Sequence, residues 1–157
     1  MPSDRDSRDR AAAPASEGEV REAAIRLLAR REHSVRELAR KLDQRGHDAA
    51  LVERVLAALG EAGLQSDRRF AESWCRQRAE KGYGPLRIRA ELGERGVASD
   101  VVEQALETLE ADFEANARAW YQRRYRHPPA DFRERARRSQ ALYRRGFDGD
   151  IVRAVVG

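Results

Sequence analysis

The sequence predicts an all-α protein made of three tandem three-helix repeats, helix-turn-helix-like units strung into an elongated, curved array. Three observations carry this. The chain repeats itself every fifty residues, its apolar residues fall at helical rather than alternating spacing, and strand-forming residues are scarce, with aromatics at only 6% of 157 residues. The period is visible in one register. Leu42, Leu92 and Leu142 lie fifty apart, as do Arg45, Arg95 and Arg145, then Gly46, Gly96 and Gly146, then Val52, Val102 and Val152. The same offset relates Val55 to Ala105 and Val155, and Leu56 to Leu106 and Val156.

In the first copy a leading helix is expected from about Glu19 to Arg31, with Ile25 and Leu28 inward. Ser34-Val35-Arg36-Glu37 reads as a capping box that opens the middle helix, and Gly46 supplies its left-handed stop. Asp48 caps the third helix, whose buried stripe is Leu51, Val52, Val55, Leu56 and Leu59, with Gly60 and Gly63 ending it. The second copy opens with Asp67 to Glu80, Phe70 and Trp74 inward. Gly84-Pro85 starts its middle helix, because proline at the first helical position gives up an amide hydrogen that has no partner there. Ile88 and Leu92 are its buried residues, Gly96 ends it, and Ser99 or Asp100 caps the next helix.

The third copy leads with Phe113 to Arg126, Trp120 and Tyr121 inward. It is the least regular: Pro128-Pro129 lengthens a connection, and Arg138 stands where Leu38 and Ile88 stand in the others. The last helix, Asp150 to Val156, is short. The resulting division is a disordered tail over 1–18, with nothing to bury, and repeats over 19–65, 66–112 and 113–157. Units of this size are marginal alone and lean on their neighbours.

Composition narrows the function. The single cysteine, Cys75, sits beside Trp74 on an apolar face and reads as a small core residue; with no signal-like or membrane-spanning stretch, a cytoplasmic protein is expected. His33, His47 and His127 form no metal spacing, and no acid, base and nucleophile converge, so neither a metal, a cofactor nor an enzymatic activity is expected. The net charge of +4 is unevenly spread: −2 over residues 1–19, +2 over 20–66, −3 over 67–116 and +7 over 117–157. A basic third repeat is drawn to nucleic acid or to an acidic protein groove.

Two stretches admit two readings each. Gly82-Tyr83-Gly84-Pro85 is either a plain turn between helices or a loop that presents Lys81, an exposed Tyr83 and Arg87 to a partner. The arginines around 123–145 are either a solvated surface or a binding face, and the loss of the third core position to Arg138 favours the face.

Phe70-Ala71-Glu72-Ser73-Trp74, followed by the run from Arg78 to Leu92 with its Lys-Gly-Tyr-Gly-Pro-x-Arg-Ile-Arg-x-Glu-Leu core, closely resembles the central motif of the RecX family. The segments Leu27 to Ser34 with Glu37-Leu38, and Leu142 to Phe147, resemble its first and third repeats, so the likeness covers about residues 20–156. The resemblance implies three tandem three-helix repeats. It also implies a monomer that binds the groove of the RecA recombinase filament on single-stranded DNA and inhibits ATP hydrolysis, strand exchange and the coprotease activity of the SOS response. Contact residues are then expected among Lys81, Tyr83, Arg87 and Arg89 of the motif and Arg123, Arg124, Arg144 and Arg145 of the basic repeat. The rival reading is an autonomous, sequence-independent DNA-binding protein. Against a dedicated base reader, the third helices open on Asp48-Ala49-Ala50 and Ser99-Asp100 rather than Arg, Asn or Gln.

Overall fold

The computed structural model describes residues 15–157, which hold nine α-helices and no strand. The first repeat comprises α1 (Glu17–Arg30), α2 (Val35–Gln44) and α3 (Ala49–Glu61). The second comprises α4 (Asp67–Glu80), α5 (Pro85–Glu94) and α6 (Ser99–Thr108), and the third α7 (Phe113–Arg124), α8 (Phe132–Arg144) and α9 (Gly149–Val156). Of the expected N-terminal tail, residues 1–14 lie outside the described residues. Ser16 accepts a hydrogen bond from the Glu19 amide and starts α1 at Glu17, inside the stretch read as tail.

Local chemistry explains the boundaries. Ser34 and Glu37 form both bonds of the capping box on α2, and Asp48, Asp112, Asp131 and Asp148 each cap a following helix. Gly46, Gly96 and Gly146 end the three middle helices with φ of 83°, 79° and 97°, a region closed to most side chains. The third repeat departs from expectation in two places. Tyr125 takes an extended conformation and ends α7 two residues early, and Asp148 rather than Asp150 opens α9. In the second repeat neither Ser99 nor Asp100 caps α6. Its N-cap is Ala98, which offers no side-chain acceptor.

Each repeat has its own core. Val20, Ala24, Leu27, Leu38, Leu42, Val52, Val55, Leu56 and Leu59 form the first, Phe70, Ala71, Cys75, Ile88, Leu92, Val97, Val102 and Ala105 the second. Ala117, Leu142, Phe147, Val152 and Val156 form the third, and Phe113 touches both the second and the third. Burying each large aliphatic side chain contributes about 1.5–3 kcal/mol, so these small clusters are just enough to hold units of three helices. Three cores in series, each sewn to the next, make an array rather than a single globule.

The inward faces need correction. In α1 the buried stripe is Val20, Ala24 and Leu27, while Ile25 is exposed and Leu28 is only partly covered. The small alanine marks the true phase of the helix, and apolarity alone points one position away. Trp74, Trp120 and Tyr121 pack at the edges of their cores rather than within them. Cys75 is fully buried, and burial pushes its thiol up to about 11, which suits a core residue and not a nucleophile.

Arg138 is buried at the very core position where the other repeats place Leu38 and Ile88, contrary to the expectation that it joins a basic face. Its guanidinium donates to the Tyr121 hydroxyl at 2.9 Å and to the His127 carbonyl at 2.8 Å, pairs with Glu134, and stacks 4.4 Å from the Tyr125 ring centroid. The third repeat thus replaces an aliphatic core residue with a hydrogen-bonded cation, and Arg138 adds nothing to the basic surface.

Candidate functional site

The central motif lies at a joint between repeats. The Gly84 amide donates to the Arg145 carbonyl at 2.7 Å and the Leu86 amide to the Gly146 carbonyl at 3.0 Å, so the start of α5 docks on the turn that ends α8. Arg145 reaches back across it: its Nε donates to the Gly82 carbonyl at 3.0 Å and its Nη2 to the Lys81 carbonyl at 2.6 Å. Arg87 closes the other side by donating to the Arg144 carbonyl at 3.2 Å. The two backbones touch. A Cβ on Gly84 would stand 2.7 Å from the Phe147 nitrogen and nearer still to the Gly146 carbonyl, and a Cβ on Gly146 would stand 3.0 Å from the Arg87 Cα.

Fifty residues earlier the same joint links repeats one and two. The Ser34 hydroxyl donates to the Arg95 carbonyl at 2.8 Å, and Gly96 faces Arg36, whose Cβ would lie 2.9 Å from an added methyl. Further bonds brace this joint. The Val35 amide donates to Asp67 at 2.9 Å, Arg69 pairs with Glu32 at 3.1 Å, and Gln65 donates to the His33 carbonyl at 3.4 Å. His33 is buried between the Arg31 carbonyl and the Lys41 ammonium, at 3.0 and 2.9 Å. Because an ammonium only donates, Nε2 must accept and Nδ1 must carry the proton. Burial, aided by the Arg31 and Lys41 charges, pushes His33 below its ordinary value.

Aromatic rings and guanidiniums fill the second joint. Tyr83, expected to be exposed, is half-buried among Arg78, Arg145 and Arg87, whose guanidinium carbons lie 3.8, 4.2 and 4.6 Å from its ring centroid. Arg145 also stacks 4.8 Å from Trp120, and desolvation lowers its pKa. The equivalent Arg95 lies 4.0 Å over Trp74, within its own repeat. Arg78 is in turn tied to Glu91 at 3.0 Å.

The eight residues singled out in the sequence therefore fall into two sets. Tyr83, Arg87 and Arg145 are engaged in the joint, and Arg89 is held bidentately by Glu103 at 2.7 and 3.2 Å. Lys81, Arg123, Arg124 and Arg144 are exposed and, among the described residues, make no ion pair. The structure gathers these four around the second joint. The Lys81 and Arg144 backbones belong to it, Arg124 stacks 5.6 Å from Trp120, and Arg123 lines a crevice with Gly82. What sequence reasoning missed is the joint itself. No local pattern signals it, because Arg95 with Trp74 and Arg145 with Trp120 each stack inside a single repeat. No constellation of three or more metal-ligating side chains exists among the described residues, and none of their helices is long and apolar enough to cross a membrane.

Comparison with known proteins gives a consistent result. Models of the first, second and third three-helix domains of RecX match residues 21–59, 66–106 and 110–156. The "Regulatory protein RecX" of Halorhodospira halophila is 55% identical over 136 residues, 86% of this chain and 84% of that protein. That of Stenotrophomonas maltophilia strain R551-3 is 46% identical over 131 residues, covering 83% and 80% of the two chains. Among solved structures, RecX from Lactobacillus salivarius superposes with a TM-score of 0.72 at 22% identity over 89% of this chain and 94% of that one, a likeness of fold.

Proposed function

The chain belongs to the RecX family, and from that premise we propose that it is a non-enzymatic negative regulator of the RecA recombinase. It binds along the groove of the RecA filament on single-stranded DNA and restrains ATP hydrolysis, strand exchange and coprotease activity, and so modulates DNA repair and the SOS response. The observation that carries this reading is the ring of unpaired cations, Lys81, Arg123, Arg124 and Arg144, held around a stiff joint between two repeats. A tandem array suits a repeating partner, because each unit meets a successive protomer and weak contacts add through effective concentration. Exposed arginines are suited to carboxylates or phosphates. The joint residues Tyr83, Arg87 and Arg145 act in this reading by fixing where those cations stand.

The test is single-strand-dependent ATP hydrolysis by the cognate RecA, titrated with this protein below one copy per recombinase protomer. Inhibition that survives a large excess of DNA supports filament regulation; the same reading takes the protein to act as a monomer in the cytoplasm. Unchanged hydrolysis, or a loss that excess DNA abolishes, would instead favour the DNA-binding reading, to which the same cations lend themselves. Arg123→Glu combined with Arg144→Glu separates surface from scaffold, since neither side chain holds the fold together.

A further inference from the structure

A second surface runs along the outer face of α8. That helix begins at Phe132, three residues ahead of the fifty-residue register in which α2 starts at Val35 and α5 at Pro85, so it carries an extra first turn. Asp131 caps this turn, which projects Phe132 into solvent with 84% of its surface exposed, more than any other large apolar side chain among the described residues. A single exposed ring needs no explanation by itself. The residues around it give this one a meaning.

Phe132, Ala136 and Tyr143 recur at i, i+4 and i+11 and share one stripe of the helix, while Arg133, Arg137 and Arg144 recur at the same intervals one residue on and make the adjoining stripe. Tyr143 and the three arginines are exposed, and none of these arginines forms an ion pair among the described residues. Every exposed charge on α8 is positive. The acids nearby are engaged elsewhere. Glu134, the one acid in α8, is half-buried on the inner side, where it accepts from the Ala130 amide at 2.9 Å and pairs with Arg138. At the head of α9, which lies beside the Tyr143 hydroxyl, Asp148 is the cap and Asp150 pairs with Arg153. The other repeats have no such face: at the positions of Arg137 and Arg144 they carry Glu37 and Gln44 or Arg87 and Glu94, and at that of Tyr143, Asp43 or Gly93.

A wholly cationic face with two separate rings suits a polyanion that has rings of its own. Phe132 and Tyr143 stand about 16 Å apart along the helix, so they make no continuous apolar patch for a protein segment to bury. Each can stack on a base, which needs only one flat face, while the guanidiniums between them hold phosphates. A duplex keeps its bases stacked on one another and offers the rings nothing. We propose that the outer face of α8 binds a single DNA strand, with Phe132 and Tyr143 stacked on unpaired bases and Arg133, Arg137 and Arg144 on the phosphates. This adds direct strand contact to the regulation proposed above; the choice of DNA over RNA rests on that reading, and the stacking does not. Arg144 also belongs to the cation ring, so the two surfaces are continuous.

The probe is a fluorescein-labelled single DNA strand of about fifteen nucleotides and mixed sequence, and its binding to the full-length protein, without RecA, is followed by anisotropy at low salt. Saturable binding is expected, about tenfold or more tighter than for the same strand annealed to its complement. Phe132→Ala should weaken single-strand binding about 5- to 140-fold, the loss of one stacked base, leave duplex binding unchanged, and be rescued by Phe132→Trp. Arg133→Gln with Arg137→Gln should flatten the slope of log affinity against log salt by about 1.4, at about 0.7 per lost phosphate contact. The exposure of Phe132 means that neither substitution should disturb the fold, which circular dichroism checks. Single-strand affinity unchanged by Phe132→Ala, or a duplex affinity lowered equally, overturns the proposal. Tighter binding to the RNA strand of the same sequence would assign the face to RNA, and displacement of the DNA by polyglutamate at equal charge would assign it to an acidic protein; either result overturns it too. Because RecA is absent, these outcomes are independent of its ATP hydrolysis, on which the regulatory reading stands.

Discussion

Replacing Gly84 by alanine isolates the joint between repeats. Gly84 has φ of −88°, an ordinary value for any residue, so alanine there imposes no backbone strain. By its effect on the unfolded chain alone the substitution should stabilise by about 0.4–1 kcal/mol. The structure predicts the opposite sign, because the new methyl would collide with the Gly146 carbonyl and the Phe147 nitrogen, which are backbone atoms that cannot swing aside. Opening the joint releases two peptide hydrogen bonds, Gly84 to Arg145 and Leu86 to Gly146, worth about 0.5–1.5 kcal/mol each. It also loosens the two bonds from Arg145 to the carbonyls of Lys81 and Gly82, which would count for more but are partly open to water and are discounted to about 1 kcal/mol each. These come to about 3–5 kcal/mol, and after the gain through the unfolded chain the joint should lose about 2–4.5 kcal/mol in all. Amide exchange at positions 84 and 86 should then accelerate roughly 30- to 1,600-fold, at about 1.4 kcal/mol per factor of ten. Gly46→Ala is the matched control. It strains a positive φ but meets no neighbouring atom, so it should weaken the first repeat by about 1–2 kcal/mol and leave positions 84 and 86 protected. If Gly84→Ala leaves exchange at positions 84 and 86 unchanged, the joint does not hold the repeats together.

Three further outcomes are expected. Folding favours neutral His33, so stability is full above its ordinary value of 6.5 and falls as pH drops from there through the lowered folded value. Thermal unfolding between pH 5 and 7.5 should show this slope in the parent and a shallower one in His33→Gln, whose amide oxygen still accepts from Lys41; equal slopes would remove His33 as the cause. Arg144→Glu should change stability by no more than about 0.5 kcal/mol yet weaken action on RecA, whereas Arg145→Glu should unfold the joint by circular dichroism and thermal melting, so that loss of function in it says nothing about contact. Finally, Arg138→Ala should melt at a lower temperature than Arg138→Leu, because both leave the Tyr121 hydroxyl without its Arg138 bond but only alanine also leaves a cavity, whereas leucine restores the side chain found at Leu38. A reversed order would mean that this position has no room for an aliphatic side chain and is not a core position of the third repeat.

The helices were legible because each carries its own signal. Ser34 with Glu37, Pro85 at the head of α5 and the glycines at 46, 96 and 146 act within a few residues of themselves, and the fifty-residue period repeats the glycines. The joint was not legible, because its determinants lie about sixty residues apart and imitate local ones. Gly84 reads as a turn glycine, yet its own φ does not require glycine; the backbone of Gly146 does. Arg145 reads as a solvated end-of-helix cation, and only the structure shows its bonds to residues 81 and 82. Of the candidate contact residues, the sequence located the neighbourhood but could not divide it, since Arg144 and Arg145 are adjacent and chemically identical. A one-residue step along the turn turns one to solvent and the other into the joint.

The two ends of the array are not equivalent to its middle. Gly96 and Gly146 each receive the opening of the middle helix of the preceding repeat, but Gly46, which also follows an arginine and has nearly the same φ, would bring an added Cβ within 4 Å of no atom among the described residues. The same feature grades tolerance to mutation along the chain: one glycine, in one conformation, is constrained by its neighbour at two positions and only by its own backbone at the third.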